Sequence, residues 1–129
     1  MILTRSLVLR NARATTHLSA LAGGSIHAYT GTMPLGGGAV TDQTLLASWT
    51  LPTPAGAVGE GAFALTPNQE AMVQADGTPT WVRVLDSSDG WLMDLDAGGV
   101  GSGAAVIVTP AQMYAGGTSR IERLRLIEP

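Results

Sequence analysis

The chain of 129 residues carries ten acidic and seven basic residues, a net charge of −3, and no cysteine. This acidic balance argues against a broad nucleic-acid-binding face, which needs a basic stripe to displace counterions from phosphates. The absence of cysteine excludes disulfides and thiolate chemistry. Hydrophobic residues make up 45% of the chain, enough for a core, whereas charged residues make up only 13%. A surface with so little charge is either covered by partners or made polar by threonine, serine and glycine, and the composition leaves both readings open.

The sequence predicts neither a membrane span nor an export signal. Its apolar runs are short, as from Ala104 to Val108, whereas a spanning helix needs about 20 apolar residues. The N-terminus, Met-Ile-Leu-Thr-Arg, lacks the basic region and following apolar stretch of a signal peptide. We therefore expect a protein that is assembled in the cytoplasm and does not contact a membrane.

The N-terminal segment predicts a helix over residues 4–21. Thr4 is a suitable N-cap, and Gly23 and Gly24 supply a C-terminal stop. The β-branched pair Thr15 and Thr16 weakens this reading, so an extended arm that becomes ordered only on a partner is the alternative. The apolar residues that recur at helical spacing are Leu3, Leu7, Ala14, Leu18 and Leu21.

Short apolar segments separated by 17 glycines and seven prolines make up most of the chain, a spacing typical of sandwiches and barrels. We predict an all-β fold: an antiparallel β-sandwich, jelly-roll-like, with about seven or eight strands. The chain forms one domain, in which residues 1–24 are the helix or arm and residues 25–129 the sandwich. Because Ile121 is out of phase with Leu124, a bulge is expected near Glu122. The predicted strands are residues 25–30, 45–51, 62–66, 80–86, 91–96, 105–109 and 118–127.

Residues 80–96 give the clearest pattern, a β-hairpin around a turn at 87–90 that ends in glycine. In its first strand, Val82 and Val84 share one face and alternate with aromatic and charged residues. In its second strand, Trp91, Met93 and Leu95 share a face, and aspartates occupy the other.

No arrangement of residues in the sequence predicts an active site. The aspartates around the hairpin lack the alternating ligand positions and closing glutamate of a calcium loop, so we expect them to bind backbone amides of the turn. His17 and His27 do not lie at metal-ligand spacing, and neither a Gly-x-Ser-x-Gly elbow nor a phosphate-binding glycine pattern is present. We therefore expect no enzymatic activity, no cofactor and no metal. The four aspartates are Asp86, Asp89, Asp94 and Asp96.

Two groups of residues are candidates for an interface with another subunit. An arginine cluster on the last strand offers planar forks that match carboxylates on a neighbour, although pairing with local acids such as Glu122 is the preferred reading. The N-terminal segment offers apolar side chains for an arm. The candidate interface residues are Arg120, Arg123 and Arg125 in the cluster and Leu3 and Leu7 in the N-terminal segment.

The large aromatic residues Trp49, Trp81 and Trp91 are expected in the core. A tryptophan that is exposed would instead mark an interface hot spot. A glycan-binding module, the remotest alternative, would need at least one of the three on a shallow groove.

Several short motifs, in this order, resemble a family of small structural proteins of tailed bacteriophages and prophages. An Arg-Asn-Ala lead is followed by residues 27–34, of the form YTGTxP, and then by Leu45-Leu46-Ala47. Residues 77–88 have the form GTxTWxRxxDSS, and residues 115–118 lead into the last strand. The resemblance spans most of the chain. The sequence departs from the pattern at Arg120 to Arg125, where the family would have serine, threonine and valine.

The resemblance implies a virion component that forms homo-oligomers or contacts other virion proteins. On this reading the protein is a capsid cement or decoration protein, which binds the major capsid protein and stabilises the shell. A tail, head–tail junction or fibre protein is the alternative. No nucleic acid partner is expected.

Overall fold

The computed structural model describes residues 6–60, 62–65 and 70–127. Its described residues contain one α-helix, α1 (Leu7–Leu21), so the prediction of an N-terminal helix is confirmed over this range. The helix ends at Leu21, as predicted from Gly23 and Gly24. The N-cap is Ser6, whose Oγ accepts a hydrogen bond from the Leu9 amide at 3.2 Å, whereas Thr4 lies outside the described residues.

The β-branched pair in mid-helix is accommodated by hydrogen bonds to the preceding turn. Thr15 Oγ1 donates to the Asn11 carbonyl at 2.9 Å, and Thr16 Oγ1 donates to the Ala12 carbonyl at 3.1 Å. Such bonds let threonine satisfy its hydroxyl without leaving the helix. The helix is too short and too polar to span a membrane, and the described chain offers no other candidate.

Nine strands and one short 3-10 turn, Leu35–Gly37, follow the helix in the described chain. The strands are β1 (Ser25–Tyr29), β2 (Leu45–Thr50), β3 (Gly56–Gly59), β4 (Ala62–Leu65), β5 (Ala71–Met72), β6 (Trp81–Leu85), β7 (Trp91–Gly98), β8 (Val106–Thr109) and β9 (Thr118–Ile127).

These strands form one mixed sheet that curls into a nearly closed barrel. Its path runs β2-β1-β6-β7-β8-β9, with β7 and β8 parallel and the other neighbours antiparallel. The N-terminal end of β9 pairs with β5, and the chain just after β5 returns to β2 through a hydrogen bond of 2.7 Å from the Gln74 amide to the Leu46 carbonyl. The C-terminal half of β9 carries the β4–β3 hairpin instead.

The β-rich fold with an N-terminal helix is thus confirmed, but the sandwich and jelly roll are not. A sandwich has two separate ladders packed face to face, whereas here the ladder continues around a ring. The ring depends on the parallel pairing of β7 with β8, in which Ala97 lies opposite Val106. A hairpin cannot make such a pair; the glycine-rich segment at 99–105 connects these strands.

The bulge predicted near Glu122 is confirmed. Arg123 lies opposite Ile107 and Ile121 opposite Val108, so Glu122 has no partner on β8. Because of this extra residue, the side chains of both Ile121 and Leu124 point inward: Leu124 is buried, and Ile121 packs against the core.

The core fills the inside of the ring. All seven ring strands contribute apolar residues to it, and α1 adds Ala14 and Leu21, which are fully buried. Trp49 lies inside, where its Nε1 donates to the Ser119 carbonyl on β9 at 3.1 Å. This bond links β2 to β9 close to where β5 completes the ring.

Candidate binding site around Trp91

A second, smaller cluster lies on the outer side of β1, β6 and β7. On β1 and β6, the side chains of Ile26, Ala28, Val82 and Val84 point into the core, so the side chains that alternate with them point outward. Five side chains on the outer side of the three strands form what we call the outer cluster: Tyr29, Trp81, Arg83, Trp91 and Asp94.

The centre of the outer cluster is a buried ion pair between adjacent strands. Arg83 Nε lies 2.8 Å from Asp94 Oδ1, and an Arg83 terminal nitrogen lies 3.0 Å from Oδ2. The two side chains are only 9% and 5% exposed. Two parallel bonds are the strongest arrangement of these groups, and the hydrogen bond to Asp94 raises the pKa of Arg83.

Aromatic rings support the ion pair from the β1 side. The guanidinium of Arg83 lies 5.3 Å from the ring centroid of Trp81, within cation–π range. Trp81 in turn stacks on Tyr29, with centroids 4.6 Å apart and ring planes 15° from parallel. Burial raises the pKa of Tyr29, an effect that Arg83 partly offsets.

Trp91 completes the cluster at the surface. Its Nε1 donates to Asp94 Oδ1 at 3.1 Å, so one carboxylate holds both Arg83 and Trp91. The Gly37 backbone covers part of the indole; a Cβ at Gly37 would lie 2.6 Å from Cε3 of the ring. The rest of Trp91 is open to solvent, and the residue is 46% exposed.

The prediction that Trp91 shares a face with Met93 and Leu95 is therefore wrong. The register of β6 and β7 shifts by one residue, with Met93 opposite Val84 but Trp91 opposite Leu85. Such a bulge transfers the following side chain to the other face. Trp91 consequently lies on the outer side with Asp94.

The hairpin turn beside Trp91 is held by Asp86, as predicted for aspartates that bind backbone amides. Asp86 Oδ1 accepts hydrogen bonds from the Ser88 and Gly90 amides at 2.9 and 2.8 Å. Asp89 adopts a left-handed conformation with φ of 62° and is exposed. Its amide donates to the Asp86 carbonyl at 3.0 Å, whereas its carboxylate makes no hydrogen bond or ion pair with the described residues. The charge of that carboxylate raises the pKa of His27.

His27 lies on the same outer side of β1, where its Nε2 is 3.3 Å from Ser25 Oγ. Burial lowers the pKa of His27, and the nearby charge of Asp89 offsets this only in part. A nucleophilic serine needs a histidine that a third group orients. In the described chain no carboxylate hydrogen-bonds to His27, so this pair lacks the third member of a triad.

In the described part of the chain, no three histidine, aspartate or glutamate side chains converge on one point. Asp86 binds the turn, Asp94 binds Arg83, and Asp96 Oδ1 accepts the Ala105 amide at 3.1 Å. Each of these carboxylates thus serves a different part of the backbone or a different side chain.

A shallow cleft of about 580 Å³ lies between the glycine-rich loop and the bulge of β9. Of the described residues, Val100, Ala104 and Ile107 are among those that line it, and Glu122 is the one with a titratable side chain. Glu122 already pairs with Arg120, at 3.0 Å. Within its described lining, the cleft therefore offers apolar surface but no pair of reactive groups.

The candidate interface residues lie away from the outer cluster or outside the described chain. Arg120 pairs with Glu122 on an exposed part of β9, the local arrangement that the sequence favoured. Arg123 and Arg125 lie in β9 opposite Ile107 and Ala64, and their side chains are not among those described. Leu3 precedes the described residues; Leu7 begins α1 and is exposed.

Sequence reasoning missed the outer cluster as a site. A signal was present in Trp81-x-Arg83, whose two residues alternate with core valines and therefore point to the outside. Asp94 lies directly opposite Arg83 in the hairpin register, so the ion pair follows once the turn is placed. The outward position of Trp91 could not be predicted, because it depends on the β-bulge in β7 and no local sequence pattern indicates that bulge.

The two longest motifs of the sequence meet at this cluster. Thr80 Oγ1 donates to the Gly31 carbonyl at 2.7 Å, and Trp81 Nε1 donates to the Thr30 carbonyl at 3.3 Å. Residues of the YTGTxP segment thus bind residues of the GTxTWxRxxDSS segment. No protein-family model, curated protein or solved structure matches the chain, so its function is inferred from these residues.

Proposed function

We propose that the protein is a non-enzymatic structural component of a tailed-phage virion, and that it acts as capsid cement on the major capsid protein. The observation that carries the proposal is the meeting of the two phage-like motifs in one cluster. Thr80 binds Gly31, and Trp81 binds Thr30. Two of the segments on which the resemblance depends therefore contact each other in the fold, and this contact supports the proposal.

Exposed apolar side chains support a role in protein contact. Leu35 is 94% exposed in the turn that covers Trp91, and Val8 is exposed near the start of α1. Exposed apolar surface of this kind is available for burial by a partner. Many modest contacts of a small protein, repeated over a shell, stabilise it collectively.

The proposal is tested by adding purified protein to phage shells that lack it. We expect saturable binding, with a copy number on stained gels that is comparable to that of the major capsid protein, and a rise in the temperature at which the shells break. The absence of binding at saturating concentration would rule out the cement role. A single ring of bound protein at one vertex would favour the junction or tail alternative.

A matched pair of variants relates binding to the outer cluster. Trp91→Ala removes the exposed aromatic of the cluster, whereas Tyr114→Ala removes an aromatic just before β9 that is more exposed, at 64% against 46%. We expect the first variant to bind shells more weakly and the second to bind as the unchanged protein does. Equal loss in both would contradict a specific role for the Trp91 side of the barrel.

A further inference from the structure

One side of α1 is exposed and carries no charge. Val8, Ala12, Thr15 and Ser19 recur at helical spacing, so they lie along the same side of the helix. All of them are exposed, and Val8 is 80% exposed. We call these residues the open face of α1. The solvent side of a helix normally carries charged and strongly polar residues, so this composition suits contact with another protein better than contact with water.

The two hydroxyls of the open face are already bonded within the helix. Thr15 Oγ1 donates to the Asn11 carbonyl at 2.9 Å, and Ser19 Oγ donates to the Thr15 carbonyl at 3.0 Å. A hydroxyl that is bonded to its own helix can be covered by a partner without leaving a buried donor unsatisfied. The open face therefore behaves as a largely apolar surface.

A groove of about 470 Å³ adjoins the C-terminal half of the open face, between α1 and the segment that joins β2 to β3. Val8, the most exposed large apolar residue of α1, lies at the other end of the same face. The helix thus presents an uncovered apolar side chain and a groove that can receive one. The described residues that line the groove are Thr15, Leu18, Ser19, Ala22, Thr53 and Pro54.

Val8 cannot reach the groove of its own chain, because Ser19 lies about 16 Å further along the helix axis. An antiparallel pairing with a second copy brings Val8 and the groove together twice. When Val8 of each copy lies opposite Ser19 of the other, Ala12 lies opposite Thr15, since both pairs are centred on the same point of the helix. The open face is therefore self-complementary, as a two-fold interface requires.

The charges of α1 favour the same arrangement. Its first turn has no acidic residue and its last turn no basic residue, so side chains of the helix do not offset the partial charges at its ends. In an antiparallel pair, each end lies beside the oppositely charged end of the other copy. Arg10 and Arg13 lie at least about 100° around the axis from the middle of the open face, so the pairing does not bring the arginines of two copies face to face.

We propose that the open face of α1 is the interface of a two-fold dimer, in which Val8 of each copy occupies the groove beside Ser19 of the other. The dimer does not depend on the proposed function, because it rests on α1 and the adjoining groove alone. It also leaves the Trp91 side of the barrel to other partners, since no residue of the outer cluster belongs to the open face or to the described lining of the groove.

Sedimentation equilibrium of the intact protein tests the dimer. We expect a reversible monomer–dimer equilibrium with a dissociation constant on the order of 100 µM, because the contact is small. Val8→Asp should weaken it at least about tenfold, because a carboxylate without a partner would enter the groove. The matched control is Val100→Asp: Val100 is 79% exposed but lies in the glycine-rich loop, so this variant should dimerise as the unchanged protein does.

The folding of these variants is checked by far-ultraviolet circular dichroism. We expect both to keep the helical signal of the unchanged protein. An aspartate in the first turn of a helix is favourable, so loss of dimer in Val8→Asp would not come from loss of α1.

Single-cysteine variants test the antiparallel register, because the chain has no cysteine of its own. Val8→Cys and Ser19→Cys should form a disulfide with each other when the two proteins are mixed and mildly oxidised. Either variant alone should form little, because the two copies of the same residue lie about 16 Å apart along the helix axis, beyond the reach of a disulfide.

Three results would overturn the proposal: a monomer at every concentration, equal dimerisation of Val8→Asp and the unchanged protein, or a cysteine mixture that cross-links no better than Val8→Cys alone. A monomer whose binding to phage shells is lost in Val8→Asp but kept in Val100→Asp would also overturn it, in favour of a different protein on this face. A dimer that does not bind phage shells would reject the cement role and leave the dimer standing.

Discussion

Arg83 and Asp94 face each other on adjacent strands and form a two-bonded ion pair on the outer side of the barrel, with bonds of 2.8 and 3.0 Å. The pair is nearly excluded from solvent although it lies outside the core. Its surroundings are aromatic, with Trp81 beside the guanidinium and Trp91 bound to the carboxylate. The stability of the hairpin and the position of Trp91 therefore depend on the same carboxylate.

Removing one member of this pair should be strongly destabilising. Asp94→Ala leaves the guanidinium of Arg83 charged and nearly buried, so we expect a loss of about 2–4 kcal/mol in the free energy of unfolding, measured by urea titration. The matched control is Glu122→Ala, which breaks the exposed pair with Arg120 and should change stability by less than about 0.5 kcal/mol. Similar losses in both variants would contradict the importance of burial.

Replacing both members should be less harmful than replacing one. The double variant Arg83→Met and Asp94→Leu leaves no buried charge, so we expect it to recover at least about 1 kcal/mol relative to Asp94→Ala. Trp91 still loses its hydrogen-bond acceptor, and its indole signal should shift in the double variant. A double variant that is less stable than Asp94→Ala would show that the pair contributes more than the neutralisation of its charges.

The loop that covers Trp91 allows a test with two neighbouring glycines. Gly36 and Gly37 both have positive φ, 57° and 74°, but only Gly37 contacts the indole ring. Gly36→Ala should cost about 1 kcal/mol through backbone strain, whereas Gly37→Ala should cost at least about 1 kcal/mol more, because its Cβ overlaps the ring. Only Gly37→Ala should shift the Trp91 indole signal. Indistinguishable effects would mean that the loop does not rest on Trp91.

Acid should weaken the fold through His27. Burial holds the folded-state pKa of His27 below the ordinary value of 6.5, so below pH 6.5 the unfolded state binds more protons than the folded one. Stability is therefore complete above this value, falls as the pH drops through the interval between the two pKa values, and levels off below the folded-state value.

Thermal unfolding between about pH 8 and pH 5 measures this dependence. His27→Gln should flatten the curve in that range, because it removes the titrating group. Asp89→Asn should lower the pKa of His27 further, because the charge of Asp89 raises it. A pKa that rises in Asp89→Asn would contradict the placement of the turn beside His27.

The features that sequence predicted correctly are those that a few neighbouring residues determine. The helix ends where Gly23 and Gly24 permit, and the bulge at Glu122 follows from the phase of Ile121 and Leu124. The inward direction of Val82 and Val84 likewise follows from alternation alone. These signals are local, so they survive in the folded chain.

The features that sequence reasoning missed depend on contacts between segments that are distant in the chain. The barrel requires β8 to pair in parallel with β7 and the chain after β5 to reach β2, and neither pairing leaves a pattern in the residues involved. The position of Trp91 requires a register shift that skips Leu92. Strict alternation along the strand, on which the sequence prediction depends, places Trp91 on the inner side with Met93 and Leu95.

The described residues join the β5 segment to β2 through one backbone hydrogen bond, from Gln74 to Leu46. Every other boundary in the ring has a ladder of two or more residue pairs. We therefore expect local opening to begin at this seam, where separation breaks the fewest backbone hydrogen bonds. The Gln74 amide should exchange its hydrogen with solvent early, whereas the amides of β1, which has a partner strand on each side, should exchange only when the whole domain unfolds.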